Sequence, residues 1–156
     1  MKHKKDYKEK TLEYYNQNDK AFIDGTLNVD FSETQDKFLS FLNPGDKILD
    51  FGCGSGRDTK YFLEKGFEVT AIDGSKKMCE FASQFTGINI TQLDFLDFYE
   101  KERYNGIWAC SSILHLNSKE LLRVLKNISV ALKPDGIFYT SFKYGTFEGE
   151  RNGRFF

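Results

Sequence analysis

Cysteine is scarce: three residues, at positions 53, 79 and 110, no two of which form a C-x-x-C pair. An odd number at such wide spacing builds neither a disulfide framework nor a zinc site, and no metal is expected. No run of about eighteen apolar residues occurs, so no membrane-spanning helix is expected. The basic start Met1-Lys2-His3-Lys4-Lys5 is not followed by an apolar signal region, which makes the expected compartment the cytoplasm. Excess charge is missing too. A formal net charge of −1 gives no electrostatic reason for a nucleic-acid partner. There is no internal repeat and no low-complexity segment. What remains is ordinary globular composition, with 40% apolar and 29% charged residues and sixteen phenylalanines for the core. At 156 residues the chain is expected to be a single domain.

Residues 6–24 read as a polar, weakly periodic helix. Ser32 with Gln35 reads as a capping box for a second helix reaching about Leu42, stopped by Asn43-Pro44-Gly45. From there the pattern alternates. Strands are expected over Lys47–Phe51, Glu68–Ile72, Asn89–Leu93, Gly106–Cys110 and Ile137–Phe142. Helices are expected over Asp58–Lys65 and Ser75–Phe85, each closed by a glycine, and from Asn117 with Leu121, Val124, Leu125, Ile128 and Leu132 on one face. Such alternation specifies an α/β, Rossmann-like, doubly wound and mostly parallel sheet with helices on both faces.

Ligands of such sheets sit beyond the carboxyl ends of the strands. The first strand runs into Gly52-Cys53-Gly54-Ser55-Gly56-Arg57, where glycines let the backbone turn tightly and approach a ligand. Asp73 ends the second strand, seventeen residues after Gly56, where a carboxylate can accept both hydroxyls of a ribose. Asp94 follows the third strand, as an acceptor for an adenine amino group or as an Asx turn; Asp97 is its neighbouring alternative. A nicotinamide fingerprint, G-x-G-x-x-G, would need glycine where Arg57 stands, and a P-loop would need G-K-[ST], which is absent.

The stretches L-D-F-G-C-G-S-G, V-T-A-I-D-G-S, Q-L-D-F and L-K-P-D-G-I-F-Y-T-S-F, in that order across residues 45–145, resemble the motifs of class I S-adenosylmethionine-dependent methyltransferases. Tyr14-Tyr15 and Ser141-Phe142-Lys143-Tyr144-Gly145 are similar to the small bacterial tellurite-resistance type. The resemblance implies S-adenosylmethionine as cofactor. Asp50, Gly52, Cys53, Gly54 and Gly56 would then surround its methionine and ribose, and Asp73, Gly74 and Ser75 the ribose hydroxyls. Met78, Asp94 and Phe95 would take the adenine, and Ala109, Cys110 and Ser111 would pass under the sulfonium. It divides the chain into N-terminal helices or lid (1–43), cofactor-binding core (44–142) and tail (143–156).

Tyr14, Tyr15 and Lys143 are candidates for lid or substrate contacts, each with an ordinary helical or surface reading beside it. His115, five residues past the fourth strand, is the candidate base, or a plain loop histidine. Cys110 lacks the preceding proline of cytosine-methylating enzymes and reads as a buried small residue. No N-P-P-[YF] follows the fourth strand, which argues against adenine or amide-nitrogen acceptors and favours a small-molecule acceptor. The family sheet adds a helix and two strands after strand five, so the C-terminal strands are expected to be missing. An uncovered fifth strand is then expected to pair with a second copy, as a homodimer, or to be covered otherwise. The rival to an active enzyme is a non-catalytic cofactor-binding protein or a truncated pseudoenzyme that needs a partner chain.

Overall fold

The computed structural model describes residues 9–14, 20, 23, 25, 27, 29–142, 150–151 and 154–155, the last four by backbone alone. Five parallel strands form the main sheet: β1 (Lys47–Phe51), β2 (Glu68–Asp73), β3 (Thr91–Gln92), β4 (Tyr104–Ala109) and β5 (Leu132–Thr140). Their spatial order is β3-β2-β1-β4-β5. The chain therefore builds outward from β1 in one direction and then returns to build in the other. That reversal opens a crevice above the carboxyl ends of β1 and β4.

Helix α1 (Ser32–Leu39) precedes β1, and three helices cross between the strands: α2 (Arg57–Glu64), α3 (Lys76–Thr86) and α4 (Ser118–Ala131). Side-chain alternation along the central strands decides which layer each residue joins. Ile48 and Trp108 pack with Phe38 of α1 and Phe62 of α2. Their neighbours Leu49 and Ile107 pack on the other side with Val124, Ile128 and Ala131 of α4. Both faces are covered, as the expected architecture requires.

Three local readings change. Ser32 and Gln35 do not form a capping box: α1 starts after Phe31 without a side-chain cap, and the Ser32 amide donates to Asp30 Oδ1. Gln35 is drawn inward instead, to a buried carboxylate described below. β3 spans two residues rather than five. The amides of Ile88 and Ile90 donate to the hydroxyls of Thr86 and Ser83, which removes them from the ladder. Conversely, β5 begins earlier than expected. The amides of Glu102 and Arg103 donate to the carbonyls of Val130 and Ala131, delivering Leu132 straight from α4 into register with Tyr104. Lys133-Pro134-Asp135-Gly136 is then a bulge, because Ile137 pairs with Gly106, and Asp135 takes a left-handed φ of 63°. β5 pairs only with β4 in this sheet. In the tail, β6 (Glu150–Arg151) and β7 (Arg154–Phe155) form a separate antiparallel pair.

No described helix is long and apolar enough to cross a membrane. Nor do the described residues contain a His, Cys, Asp and Glu group that could hold a metal ion.

Gly106 sets how closely α1 approaches the sheet. A Cβ there would lie 2.8 Å from Phe38 Cζ and 3.0 Å from Leu42 Cδ1. Phe38 cannot swing away, since its ring is wedged against Phe62 and Trp108 at centroid distances of 5.7 and 5.2 Å. Gly106→Ala is therefore expected to destabilise the fold by about 1–3 kcal/mol, read as a lowered urea midpoint at unchanged slope. An unchanged midpoint would show that α1 can lift without cost.

Candidate functional site

A cavity of about 490 Å³ lies in the crevice beyond the strand ends, within the range of small-ligand pockets. The loop after β1 forms its floor. The amides of Gly52 and Cys53 both donate to the Ile72 carbonyl, at 2.9 and 3.0 Å, which fastens the loop to the end of β2. Gly52 has φ 84°, and a Cβ on it would fall 2.4 Å from Ser112 Cβ and 2.9 Å from Phe95 Cζ. Only glycine permits both the turn and the close approach of these walls.

Asp73 stands beside this loop. Its Oδ2 accepts from the Gly54 amide and its Oδ1 from the Ser75 amide, each at 2.9 Å. One N–H per oxygen leaves further acceptor capacity on both oxygens, and Asp73 lines the cavity. Burial raises its pKa, and the two amides oppose that rise. Gly74, Met78, Asp94 and Phe95 continue the wall on this side. Asp94 caps the short 3₁₀ turn Phe95–Asp97 by accepting from the Leu96 amide, so it serves the Asx-turn reading and faces the cavity at once.

On the β4 side the wall is Cys110, Ser111 and Ser112, with Ser141 from the end of β5. Ser111 has a left-handed φ of 53°, and its amide donates to Ser141 Oγ at 2.8 Å. Burial, with the Asp58 charge second, pushes the Cys110 thiol up, which keeps it protonated and unsuited to nucleophilic attack. His115 lies in the same wall, on the 3₁₀ turn Ile113–His115.

The sequence-read residues thus divide. Gly52, Cys53, Gly54, Asp73, Gly74, Met78, Asp94, Phe95, Cys110, Ser111 and His115 meet at the cavity. Asp50, Gly56, Ser75 and Ala109 are buried behind its wall. Asp50 accepts from Thr59 Oγ1 at 2.7 Å. Gly56, at φ 89°, seats the start of α2 against Ala82 and Thr86 of α3. Ser75 caps α3 through the Met78 amide. Of the lid candidates, half-buried Tyr14 is not in the cavity wall, whereas Thr11 and Leu12 are. Tyr15 and Lys143 lie outside the described residues. Sequence reasoning missed Thr11, Leu12, Val29, Phe31, Ser55, Arg57, Asp58, Ser112, Leu114, Leu116 and Ser141. Thr11, Leu12, Val29 and Phe31 are brought there by tertiary packing, whereas Ser55, Arg57, Asp58 and Ser141 lie in or directly after the quoted motifs, which did not single them out.

Asp58 accepts four hydrogen bonds: from Gln35 Nε2 at 2.6 Å, Trp108 Nε1 at 2.9 Å, Arg57 Nε at 3.0 Å and Arg57 Nη2 at 3.2 Å. The guanidinium also lies over the Phe31 ring, 5.0 Å from its centroid. Burial works against the Arg57 charge, but the paired Asp58 carboxylate outweighs it and raises the pKa.

A parallel switch-point sheet with a glycine-lined floor and a ribose-competent carboxylate at the second strand defines a class I methyltransferase fold. Residues 48–136, more than half of the chain, match the family described as methyltransferase domain, and the chain belongs to that family. It is 36% identical over 109 residues to the Bacillus subtilis (strain 168) protein YqeM, covering 62% of this chain and 44% of that one. It is 31% identical over 125 residues to an uncharacterized methyltransferase of Oceanobacillus iheyensis, covering 77% and 59%. The chain thus spans about half the length of these curated relatives. The structure of a TehB-like SAM-dependent methyltransferase from Corynebacterium glutamicum superposes with a TM-score of 0.66 at 24% identity, covering 81% and 71%. The likeness supports the fold.

Asp50 yields a pH signature. Burial chiefly, then the Asp58 charge, holds its pKa well above the ordinary 3.8, against the Thr59 hydrogen bond. As pH rises from 3.8 toward that raised value, the unfolded chain loses this proton before the folded one, so stability falls. The stability of Asp50→Asn relative to wild type should therefore increase as pH rises above the ordinary carboxylate value of 3.8, read from urea midpoints. A flat or opposite difference would show that Asp50 ionises normally.

Proposed function

We propose that this chain is an S-adenosylmethionine-dependent methyltransferase domain acting on a small-molecule acceptor. The observation that carries the reading is Asp73, fastened by one backbone amide on each oxygen and still open to the cavity beside a glycine floor. A vicinal diol needs two acceptors at fixed spacing on a carboxylate that cannot rotate away. The donor set and the cradle fit the cofactor in chemistry.

In this assignment Gly52, Cys53 and Gly54 run beneath the methionine arm and ribose, and Asp73 with Gly74 takes the hydroxyls. Met78 and Phe95 would pack against the adenine, and Asp94 would accept from its amino group. Leu12 seals the ribose side, since its Cδ2 would sit 2.8 Å from a Cβ on Gly74. Cys110 and Ser111 pass under the reacting centre. The bound cofactor supplies an electrophilic methyl group for in-line displacement.

The protein's own work is alignment and exclusion of water, worth several kcal/mol when the reactants are held near attack distance. Apolar Leu114, Leu116, Val29 and Phe31 close the acceptor side. Asp58, the carboxylate of that side, already accepts four hydrogen bonds, which leaves it unable to act as a base or to hold a cationic amine. His115 is the imidazole we assign to the acceptor's proton where the acceptor is protonated.

Calorimetric titration with S-adenosylmethionine and with its demethylated product tests the reading. Wild type should bind both, and Asp73→Ala should bind either at least about 10- to 100-fold more weakly, as expected for lost charge-assisted bonds. Methyl transfer to one member of a panel of thiols, oxyanions and amines would then establish turnover; binding with no transfer would favour the non-catalytic reading. No binding by wild type sinks the proposal.

A further inference from the structure

Resting on that reading, we infer that Ser111 and Ser141 form the polar half of the acceptor subsite. The acceptor they fit is an uncharged nucleophile that carries its own hydrogen, an aromatic amine or a hydroxyl group on an apolar body. Ser111 follows β4 and Ser141 follows β5, so the two meet across adjacent strand ends, and both line the cavity. Ser111 is exposed and holds a left-handed φ of 53°. Two bonds to Ser141, from its amide and its hydroxyl, keep it there rather than burial. A strained residue fixed at the rim of a cavity points to a job for its side chain.

A hydroxyl has one hydrogen and two lone pairs. Ser141 directs its hydrogen to Cys110 Sγ, at 3.8 Å, and accepts from the Ser111 amide, at 2.8 Å. The contact between the two hydroxyl oxygens, at 3.1 Å, therefore takes its hydrogen from Ser111 and fills the second lone pair of Ser141. Ser112 donates its hydrogen to the Phe51 carbonyl, at 2.6 Å. All three serine hydrogens are thus committed inside the wall, and Ser111 Oγ keeps both of its lone pairs. Cys110 adds only a weak S–H, since its thiol stays protonated. Through its serines, such a wall accepts and does not donate.

An N–H or O–H on the nucleophile suits that wall and is oriented by it: the hydrogen turns to Ser111 Oγ, and a lone pair is left to face the methyl group. An oxyanion or thiolate brings no hydrogen and would meet filled lone pairs in place of water. An ammonium ion would need a carboxylate, and Asp58 already accepts four hydrogen bonds. Val29, Phe31, Leu114 and Leu116 offer apolar surface to the rest of the molecule. In the transfer, the nucleophile's lone pair forms the bond to the methyl carbon while the carbon–sulfur bond breaks, its electron pair going to sulfur. The displaced proton passes to His115 on the same wall.

Aniline, phenol and fluorobenzene share one ring and differ in the hydrogen they offer. With the demethylated product of S-adenosylmethionine bound, wild type should hold aniline and phenol about 3- to 10-fold more tightly than fluorobenzene in NMR titrations, as one neutral hydrogen bond allows. Ser111→Gly removes the hydroxyl and suits a φ of 53°, so the backbone stays in place, and the preference should vanish. Ser141→Ala should narrow it, because the Ser111 hydrogen is then free to turn to the cavity. The wild-type comparison decides the matter if a variant fails to fold. Equal binding of the three probes by wild type overturns the inference while leaving the proposed function intact. So does a preference retained by folded Ser111→Gly, or methyl transfer to a thiolate or oxyanion with none to any amine or alcohol. Failure of wild type to bind S-adenosylmethionine and its product removes the proposed function and the inference with it.

Discussion

A buried carboxylate that must be satisfied organises this domain. Asp58 sits in the second position of α2, 7% exposed, where an unpaired charge would cost several kcal/mol. The donors that satisfy it come from three separate elements: Gln35 of α1, Arg57 of α2 and Trp108 of β4. Each donor is fixed in turn by packing. Trp108 stacks on Tyr139 of β5 at 4.1 Å and meets Phe38 and Phe62 edge-on. One carboxylate thereby sets where α1 lands, how α2 leaves the glycine loop and which way Arg57 points. Losing Arg57 leaves the buried charge without its counter-charge, and losing Gln35 or Trp108 leaves it short of a donor, so the network acts as a unit.

The glycine floor is held by contacts of its own. Gly52 admits no side chain because Ser112 and Phe95 close over it, and Ser112 is itself held by donating its hydroxyl to the Phe51 carbonyl at 2.6 Å. The ends of β1 and β4 are thus cross-linked at the switch point. Fixing Asp73 through the Gly54 and Ser75 amides extends the same principle to β2. Backbone donors are well suited here, since they cannot change rotamer when a ligand arrives.

How much of this could be read in the sequence follows from the range of each interaction. The strand and helix series was legible because it rests on local periodicity, and the Asn117 cap appears as read, accepting from the Glu120 amide. Gly52, Gly54 and Asp73 converge on the cavity because their spacing in the chain fixes their spacing in the fold. The failures have non-local causes. Ser32 and Gln35 carry a valid local capping signal, but the Asp58 carboxylate, twenty-three residues away, competes for Gln35 and wins. The β5 boundary was hidden because Lys-Pro-Asp-Gly reads as a stop, whereas pairing with β4 tolerates those residues as a bulge. Leu12 and Phe31 reach the cavity from an N-terminal region with little periodicity of its own.

The acceptor side follows from the same economy of fixed donors. Ser111 holds a left-handed backbone that costs a residue with a Cβ about 1 kcal/mol or more, and its amide and hydroxyl both engage Ser141. Ser141 also donates to Cys110 Sγ, so three polar groups across the ends of β4 and β5 are tied to one another. Strain kept in place by hydrogen bonds between two strands is a property of the sheet, not of the loop alone. The register of β5 is therefore part of the site: its bulge at Lys133–Gly136 brings Ile137 opposite Gly106 and Thr140 opposite Ala109, which puts Ser141 beside Ser111. A one-residue slip would turn Ser141 to the other face and release the strain, which links the folding of the last strand to the geometry of the cavity.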